Sequence, residues 1–504
     1  MKQLYSFIII LLLNNNVFSQ KIIYTQPDRD DSRDMRYEII GKMNGNFLVY
    51  KTSSTLHYIC VFNNEMQQIA KEKQDYITDR VFNVDFLQYP DFSYLFYQYQ
   101  KRNIIYCMAS KIDAMGKIIG VPKQLDTTDS REVQSNKIYQ FVQSADKQKI
   151  MFFKINSSND KTHYITTLLF NKDLTLINKA TEAVAMKERN SFLTSFELDN
   201  KGIFLFFKAI GTSNNDNISQ LILISKNSDS NIFKYTNIIK LENVFLDEIK
   251  IKADNMNNKF IITSFYGNKR RGDIQGLYIS IFDAITATEK LATTTIFENN
   301  FRDDAKGDFG IKQAFNEYFI KQIIPKKNGG FLMCAESEYT NNKGGENMNR
   351  WDYLNSSSTS RSGGFYNYGS PLNYPWGNSY SNYNITRYYA ENIAVASFDS
   401  LGKMEWSNVI RKSQFDDNTD AFIGYGMFNA GNQLKFLFNQ LEKQQLILNE
   451  QSLNPDGQVI RSSTLKNLDK GYDFMPRNAK QVAAKQIVVP CMYRSFLCFA
   501  KIDY

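Results

Sequence analysis

A repeating pair of turns along almost the whole chain constrains the fold more than any other feature of the sequence. Polar turns that lead into a strongly apolar strand recur at 42–50, 144–153, 198–207, 326–333 and 429–438. Between them, a second kind of turn closes a hairpin at 112–119, 170–177, 282–291, 398–407 and 453–460. Asp or Asn followed by Gly supplies the turn chemistry, and the flanking β-branched and aromatic residues favour strands. Each repeat is therefore predicted to contain four strands, a, b, c and d.

The spacing of the repeats predicts a β-propeller. The first apolar residues of the b strands lie 47, 56, 54, 56, 71, 103 and 53 residues apart, and they are Phe47, Tyr94, Ile150, Phe204, Phe260, Phe331, Leu434 and Ile487. The interval of 103 falls to 52 when the 51 residues at 339–389 are treated as an insertion between strands b and c of blade 6. About fifty residues per four-stranded unit is the period of a propeller blade. We predict an all-β fold, a single propeller of eight four-stranded blades at 20–504, rather than the alternative of two β-sandwich domains.

The two ends of the repeat region are predicted to complete one blade together. Residues 473–504 supply three strands, and residues 21–25 read as a strand that belongs to no other unit. Pairing the first strand with the last blade would remove the exposed sheet edge that an open array leaves.

The first residues resemble an export signal. Lys2 precedes an apolar run at 7–13, and residues 17–19 offer a cleavage site before Gln20. The rival interpretation, a membrane anchor, is disfavoured because a bilayer needs about 20 apolar residues. We predict a signal peptide at 1–19, no membrane span, and a mature protein that is periplasmic, on the cell surface or secreted. Removal of the signal peptide takes Lys2 away and lowers the net charge of +8 by one. A mild positive charge predicts no nucleic-acid binding, because such binding requires clustered basic residues.

Five cysteines are an odd number for an exported chain and do not predict a disulfide framework. Cys60, Cys107 and Cys334 lie in apolar strands. A two-residue turn at 494–495 would place Cys491 opposite Cys498, within reach of a disulfide. Two thiols are the preferred interpretation. Two pairs out from that turn the residues form a hydrogen-bonded pair, and the geometry of such a pair suits a disulfide poorly.

The hairpin from Phe398 to Trp406 reads apolar, Asp, x, x, Gly, Lys, apolar, x, Trp. In this pattern the chain resembles the broad group of exported bacterial β-propeller repeat proteins. The resemblance covers essentially the whole of residues 20–504. It implies an architecture whose function is carried by loops.

Signatures of known enzyme classes are scarce in this sequence. It contains no P-loop, no Gly-x-Ser-x-Gly elbow and no His-Glu-x-x-His, and its only histidines are His57 and His163. The sequence therefore predicts no metal or other cofactor and favours a protein that is not an enzyme. Hydrolysis by paired carboxylates stays open, because such pairing is spatial.

One face of a propeller carries the d-to-a and b-to-c connections, and we call it the upper face. Here these connections are variable and charged, and they include Asp416-Asp417 with Asp420. Arg80, Arg131 and Arg189 are candidate donors to a carboxylate or another anionic group in a mixed-charge cup near the axis. The alternative is that these charges pair between blades or face solvent.

The insertion has the composition of a binding loop. It holds 9 Tyr in 51 residues, where about 3 would be expected from 30 in 504, and its spacers are Gly, Ser and Asn. The candidate contact residues are Trp351, Tyr366, Tyr368, Tyr374, Trp376 and Tyr380. A low-complexity loop without a ligand is the alternative.

Two functions follow from these features. The preferred one is a non-catalytic exported propeller that binds an envelope protein or a polysaccharide through its upper-face loops. The alternative is a propeller-type glycan hydrolase or lyase that uses paired carboxylates on the same face.

Overall fold

The structure is a computed structural model. It describes residues 21–28, 35–53, 55–78, 81–130, 137–159, 161–188, 190–211, 217–238, 241, 243–306, 313–342, 386–417, 419–442, 445–461, 471–494 and 496–504. The predicted signal peptide and the residues at 343–385 of the predicted insertion lie outside these ranges, so both stay predictions.

Four-stranded antiparallel sheets, numbered here as units in chain order, make up the first half of the fold. Unit 1 contains β2 (Arg36–Met43), β3 (Asn46–Ser53), β4 (Leu56–Phe62) and β5 (Gln68–Lys73). Unit 2 contains β6 (Val81–Gln88), β7 (Ser93–Lys101), β8 (Ile104–Ile112) and β9 (Ile118–Asp129). Unit 3 contains β10 (Tyr139–Gln143), β11 (Lys149–Asn159), β12 (Thr162–Asn171) and β13 (Leu176–Ala185). Unit 4 contains β14 (Ser191–Leu198), β15 (Phe204–Gly211), β16 (Ile218–Lys226) and β17 (Phe233–Ile238).

The second half repeats the plan with three additions. A two-residue strand, β18 (Phe245–Leu246), pairs with both β16 and β20 and so joins units 4 and 5 into one sheet. Unit 5 contains β19 (Lys250–Asp254), β20 (Lys259–Gly267), β21 (Ile274–Asp283) and β22 (Thr288–Ile296), and α1 (Asn299–Lys306) follows it. Unit 6 contains β23 (Tyr318–Pro325), β24 (Phe331–Asn342), β25 (Thr386–Phe398) and β26 (Met404–Ile410), and β27 (Gln414–Asp417) also pairs with β25.

Unit 7 contains β28 (Tyr425–Asn429), β29 (Leu434–Glu442), β30 (Gln445–Leu453) and β31 (Val459–Arg461). Unit 8 contains β32 (Tyr472–Phe474), a 3₁₀ turn (Pro476–Asn478), β33 (Lys480–Ala483), β34 (Gln486–Tyr493) and β35 (Phe496–Asp503). The all-β prediction is confirmed. The residues predicted to open the b strands lie in the second strand of units 1 to 7, and Ile487 lies in β34 of unit 8.

The first strand, β1 (Lys21–Tyr24), pairs antiparallel with β35, from Lys21 opposite Asp503 to Tyr24 opposite Ala500. The amide of Thr25 extends this ladder by donating to the carbonyl of Phe499 at 2.9 Å. The predicted contact between the two ends of the repeat region is therefore present in the sheet of unit 8.

Buried apolar side chains fill the spaces between neighbouring units. In the described part of the chain they form eight clusters, seven between units that follow one another and one between units 8 and 1. One of the clusters joins Tyr37 and Val49 of unit 1 to Val488 and Phe499 of unit 8. The first strands of several neighbouring units also contact each other, among them β2 with β6, β14 with β19, and β33 with β2. The arrangement is propeller-like.

Turn chemistry explains the hairpins that the sequence predicted. In the turn after β25, the carboxylate of Asp399 accepts hydrogen bonds from the amides of Leu401 and Lys403 at 2.9 Å. Gly402 in that turn has φ of +78°, a conformation that residues with a side chain rarely adopt.

All five cysteines are buried thiols. Cys491 lies directly opposite Cys498 in the β34–β35 hairpin, as the sequence predicted. The thiol of Cys498 contacts the carbonyl of Phe496 at 3.6 Å. The preference for two thiols over a disulfide therefore agrees with the structure. Within the described ranges, no helix is long and apolar enough to cross a membrane.

Candidate functional site

The nine residues that the sequence singled out for ligand or partner binding all lie outside the described ranges. Their assignment therefore stays a prediction, and they are Arg80, Arg131, Arg189, Trp351, Tyr366, Tyr368, Tyr374, Trp376 and Tyr380. The described residues reveal a different group of charged side chains on the upper face, where units 6, 7 and 8 meet.

The group begins on β24, the second strand of unit 6. Glu336 and Glu338 interrupt its apolar run, and their residues are only 2% and 6% exposed. Side chains two apart in a strand point to the same side, so both carboxyl groups lie on one side of the sheet of unit 6. Buried carboxyl groups require hydrogen bonds or opposite charges.

Two cations hold Glu338. The ammonium of Lys321, on β23, lies 2.5 Å from Oε2, and the guanidinium of Arg477, in the 3₁₀ turn of unit 8, lies 2.6 Å from Oε1. Burial alone would raise the pKa of Glu338, but these two cations outweigh it and lower the pKa to about 2. Glu338 is therefore a carboxylate at neutral pH.

Glu336 has a different environment. Its carboxyl group lies 2.8 Å from the ammonium of Lys412, and both side chains are almost completely buried. Burial raises the pKa of Glu336 and lowers that of Lys412, which favours the neutral form of each. Glu336 also forms a side-chain hydrogen bond with Glu338. Glu338 is therefore the charged acceptor of this carboxyl pair, and Glu336 is the member on which burial favours a proton.

Arg477 connects this pair to a second set of acids in the loop between units 6 and 7. Its other guanidinium nitrogen donates to Oδ2 of Asp420 at 2.8 Å. The side chain of Asp420 is 26% exposed, against 7% for Glu338, so solvent and a ligand reach Asp420 more readily. Burial raises the pKa of Asp420, and Arg477 opposes that shift.

Asp416, on β27, completes the group. Burial raises its pKa to about 6, with a further contribution from the negative charges of Asp417, Asp420 and Asp473. Asp416 is only partly buried, so a proton on its carboxyl group can be exchanged with a ligand. We call these residues the charge cluster, and its members are Lys321, Glu336, Glu338, Lys412, Asp416, Asp420 and Arg477.

Amide side chains fix the loop that carries the two aspartates. Gln414 accepts a hydrogen bond from Lys412 at 2.7 Å and another from the amide of Gly424 at 2.9 Å. Its own amide donates to the carbonyl of Asn439, and Asn439 donates to the carbonyls of Phe422 and Phe474. Units 6, 7 and 8 are thereby bonded to one another around the charge cluster.

The sequence placed Asp416, Asp417 and Asp420 in an upper-face loop. It named none of them as a site residue, and it assigned the mixed-charge cup to Arg80, Arg131 and Arg189. It missed the partners on other strands, Lys321, Glu338 and Arg477. The signal for one of them was present, because the segment Glu336-Ser337-Glu338 puts two acids inside an otherwise apolar strand. Arg477 lies 139 residues from Glu338 and carries no local signal.

The two histidines do not belong to this site. The ring nitrogen Nδ1 of His57 lies 2.6 Å from the hydroxyl of Tyr50 and 3.2 Å from that of Thr52 in unit 1. His163 lies on β12 of unit 3. In the described ranges, no group of His, Cys, Asp and Glu has the arrangement of a metal site.

No protein-family model and no curated protein matches this chain. Among solved structures it is similar to a puromycin hydrolase, with 10% identity and a TM-score of 0.38 over 94% of this chain and 61% of that one. It is also similar to prolyl oligopeptidase B from Galerina marginata, with 5% identity and a TM-score of 0.41 over 92% of this chain and 56% of that one. A polysaccharide lyase, Uly1, matches with 9% identity and a TM-score of 0.36 over 83% of this chain and 89% of that one.

These comparisons correct two predictions from the sequence. The neighbours are enzymes by name, so the prediction of a non-catalytic binder and the preference for a protein without enzymatic activity are wrong. The physical reason is that carboxylates from separate strands and loops meet in space and leave no linear motif. The chain spans about three fifths of the length of the puromycin hydrolase and of the oligopeptidase. With TM-scores of 0.36 to 0.41, the likenesses carry no argument about which reaction this chain performs.

Proposed function

We propose that this chain is a glycan hydrolase or lyase whose acid and base are carboxyl groups of the charge cluster. The observation that carries the proposal is the different environment of two interacting carboxyl groups: burial raises the pKa of Asp416 to about 6, whereas Arg477 opposes the same shift at Asp420. Environments that separate the pKa values of nearby carboxyl groups assign one as acid and another as base. Strongly perturbed groups also concentrate at functional sites.

Asp416 is the proposed general acid. A carboxyl group with a pKa of about 6 is protonated in weakly acidic solution, where an ordinary aspartate is ionised, and it can then donate its proton to a leaving oxygen. Asp420 is the proposed base, because it is the more exposed of the two acids that Arg477 binds. Glu338 and Lys321 position Arg477 and have no proposed contact with the glycan.

Both reactions balance with these two groups. In hydrolysis, Asp416 protonates the glycosidic oxygen as its bond to the anomeric carbon breaks, and Asp420 takes a proton from the water that attacks that carbon. In elimination, Asp420 takes a proton from the ring carbon next to the one that bears the glycosidic oxygen. A C=C bond forms between these two carbons as the C–O bond breaks, and the departing oxygen receives the proton of Asp416. Neither route needs a histidine, a nucleophilic serine or a metal ion.

The wider architecture belongs to the same proposal. We propose a closed ring of eight blades, supported by the apolar cluster between units 8 and 1 and by the pairing of β1 with β35. We also propose export through the signal peptide at 1–19, supported by the basic and apolar residues there. A glycan of the cell envelope or its surroundings would then be within reach of the enzyme.

The first prediction is that Asp416→Asn and Asp420→Asn each lower glycan turnover by about 100-fold or more, because each removes one proton-transferring group. The assay follows new chain ends released from a panel of neutral and acidic polysaccharides. Mass spectrometry separates the reactions, since the two products of hydrolysis together weigh one water more than the substrate, whereas the two products of elimination together weigh the same as the substrate.

The control is Asp91→Asn, an exposed carboxylate in the turn between β6 and β7 on the opposite face, which should retain the parent rate. If Asp416→Asn cleaves a glycan as fast as the parent protein does, the assignment of the general acid is wrong. If the folded parent cleaves no glycan of the panel, the proposed function is wrong.

A further inference from the structure

Three aromatic side chains form a row across unit 6, at the border of the predicted insertion. Tyr339 on β24 lies opposite Tyr389 on β25, and their rings stack with centroids 4.5 Å apart and planes at 12°. Tyr389 in turn lies opposite Phe415 on β27, with ring centroids 6.2 Å apart. We call Tyr339, Tyr389 and Phe415 the aromatic row.

The outer end of the row is exposed. Phe415 is 52% exposed although its strand is hydrogen-bonded into the sheet. A large apolar ring on an ordered strand costs little conformational entropy when it contacts a ligand. This combination of rigidity and exposure is typical of a contact residue.

Arg387 fixes the geometry around Phe415. Its guanidinium donates two hydrogen bonds to the carboxylate of Asp417, at 2.7 and 3.0 Å, and it also bonds the hydroxyl of Tyr389. Its central carbon lies 4.5 Å from the centroid of the Phe415 ring. Because Arg387 and Asp417 have opposite charges, the surface beside the ring is polar without a net charge from this pair.

An aromatic ring beside fixed hydrogen-bonding groups has the chemistry that a sugar requires. The C–H face of a pyranose packs on a ring, and its hydroxyl groups bond to carboxylate, guanidinium and phenol groups at the rim. A polyanion gains little here because Asp417 already neutralises Arg387. A peptide strand would seek the open edge of β27, whereas these groups stand on the face of the sheet.

We infer that the aromatic row is a subsite for a neutral hexose unit of the glycan, and this inference rests on the proposed function. Asp416 lies between Phe415 and Asp417 on β27, and alternation in the strand turns it to the opposite side. In the described part of the chain, β27 pairs with β25 alone. A glycan that crosses the other edge of β27 therefore meets the subsite on one side and the proposed acid on the other.

The second prediction is that Phe415→Ala weakens glycan binding by about tenfold, because it removes the exposed ring on which the sugar packs. Binding is measured by isothermal titration calorimetry in an Asp416→Asn background, so that no cleavage disturbs the measurement. The probes are a soluble β-glucan, a mannan and a galactan, with polygalacturonate as the anionic comparison. Phe415→Trp should restore binding, since it restores a stacking surface.

The control is Leu401→Ala, a side chain that is 71% exposed in the turn at the other end of unit 6. It should bind the probes as the parent does. Equal binding by the Phe415→Ala and parent proteins would overturn the subsite even if the parent cleaves glycans. A binding preference for polygalacturonate over every neutral probe would also overturn it. If the probes bind at the aromatic row but the parent protein cleaves no glycan, the proposed function is wrong and the subsite is not.

Discussion

Deleting residues 21–28 is expected to destabilise the whole chain in a single cooperative transition. The deletion removes β1 from the edge of β35 and leaves that edge without its partner. Ile22 and Tyr24 pack into the cluster between units 7 and 8, and Ile23 packs into the cluster between units 8 and 1. Tyr24 also stacks on Tyr472 with ring centroids 4.2 Å apart.

The expected loss is about 4 to 6 kcal/mol, because three large apolar side chains lose most of their burial at once. Urea unfolding, followed by tryptophan fluorescence and by circular dichroism, measures it. Lys21→Ala is the control, since Lys21 is an exposed residue of the same strand. An unfolding midpoint that the deletion leaves in place would mean that the pairing of β1 with β35 does not hold the ring together.

Glu338→Gln is expected to be the most destabilising single substitution in the charge cluster. It leaves the partly buried cations of Lys321 and Arg477 beside a neutral amide, and the expected cost is about 3 kcal/mol, the lower end for breaking a buried ion pair. The folded-state pKa of Glu338 is lowered to about 2. Its stabilising contribution is therefore present above the pKa of an unfolded-chain glutamate and is lost as the pH falls toward 2.

Glu336→Gln is the matched control for that substitution. Burial favours the protonated form of Glu336, and glutamine keeps the shape of a neutral carboxyl group and a donor to Glu338. The free energy of unfolding of this variant should stay within about 1 kcal/mol of the parent value. If the two glutamine variants are destabilised equally, the assignment of the charge to Glu338 and of the proton to Glu336 is wrong.

The strands could be predicted from the sequence because their determinants are local. Asn or Asp with a following Gly sets several of the turns, as at Asp399 and Gly402, and the apolar residues on either side set the strand. The pairing of β1 with β35 was also predictable, because a strand without a partner and a unit with three strands complement each other. The regular spacing of the repeats predicted how the strands are grouped into units, which single residues do not.

The charge cluster could not be predicted in the same way. Glu338, Asp420 and Arg477 come from three different parts of the chain, and only the packing of units 6, 7 and 8 brings them together. Their shifted pKa values depend on burial and on neighbouring charges, and neither is visible in the sequence. Histidines and linear motifs are visible in the sequence, whereas a site made of acids that are distant in the chain is not.

The pH dependence of glycan turnover tests whether Asp416 donates the proton in the reaction. If Asp416 donates the proton, turnover must fall as the pH rises through about 6, because the acid is then deprotonated before it meets the substrate. The measurement is the initial rate on the best glycan of the panel, over about two pH units on either side of that value, with folding checked at each pH by circular dichroism. The initial rate of the parent protein and of Asp91→Asn should fall as the pH rises through about 6. A rate that stays constant through this range in a folded, active protein would contradict it.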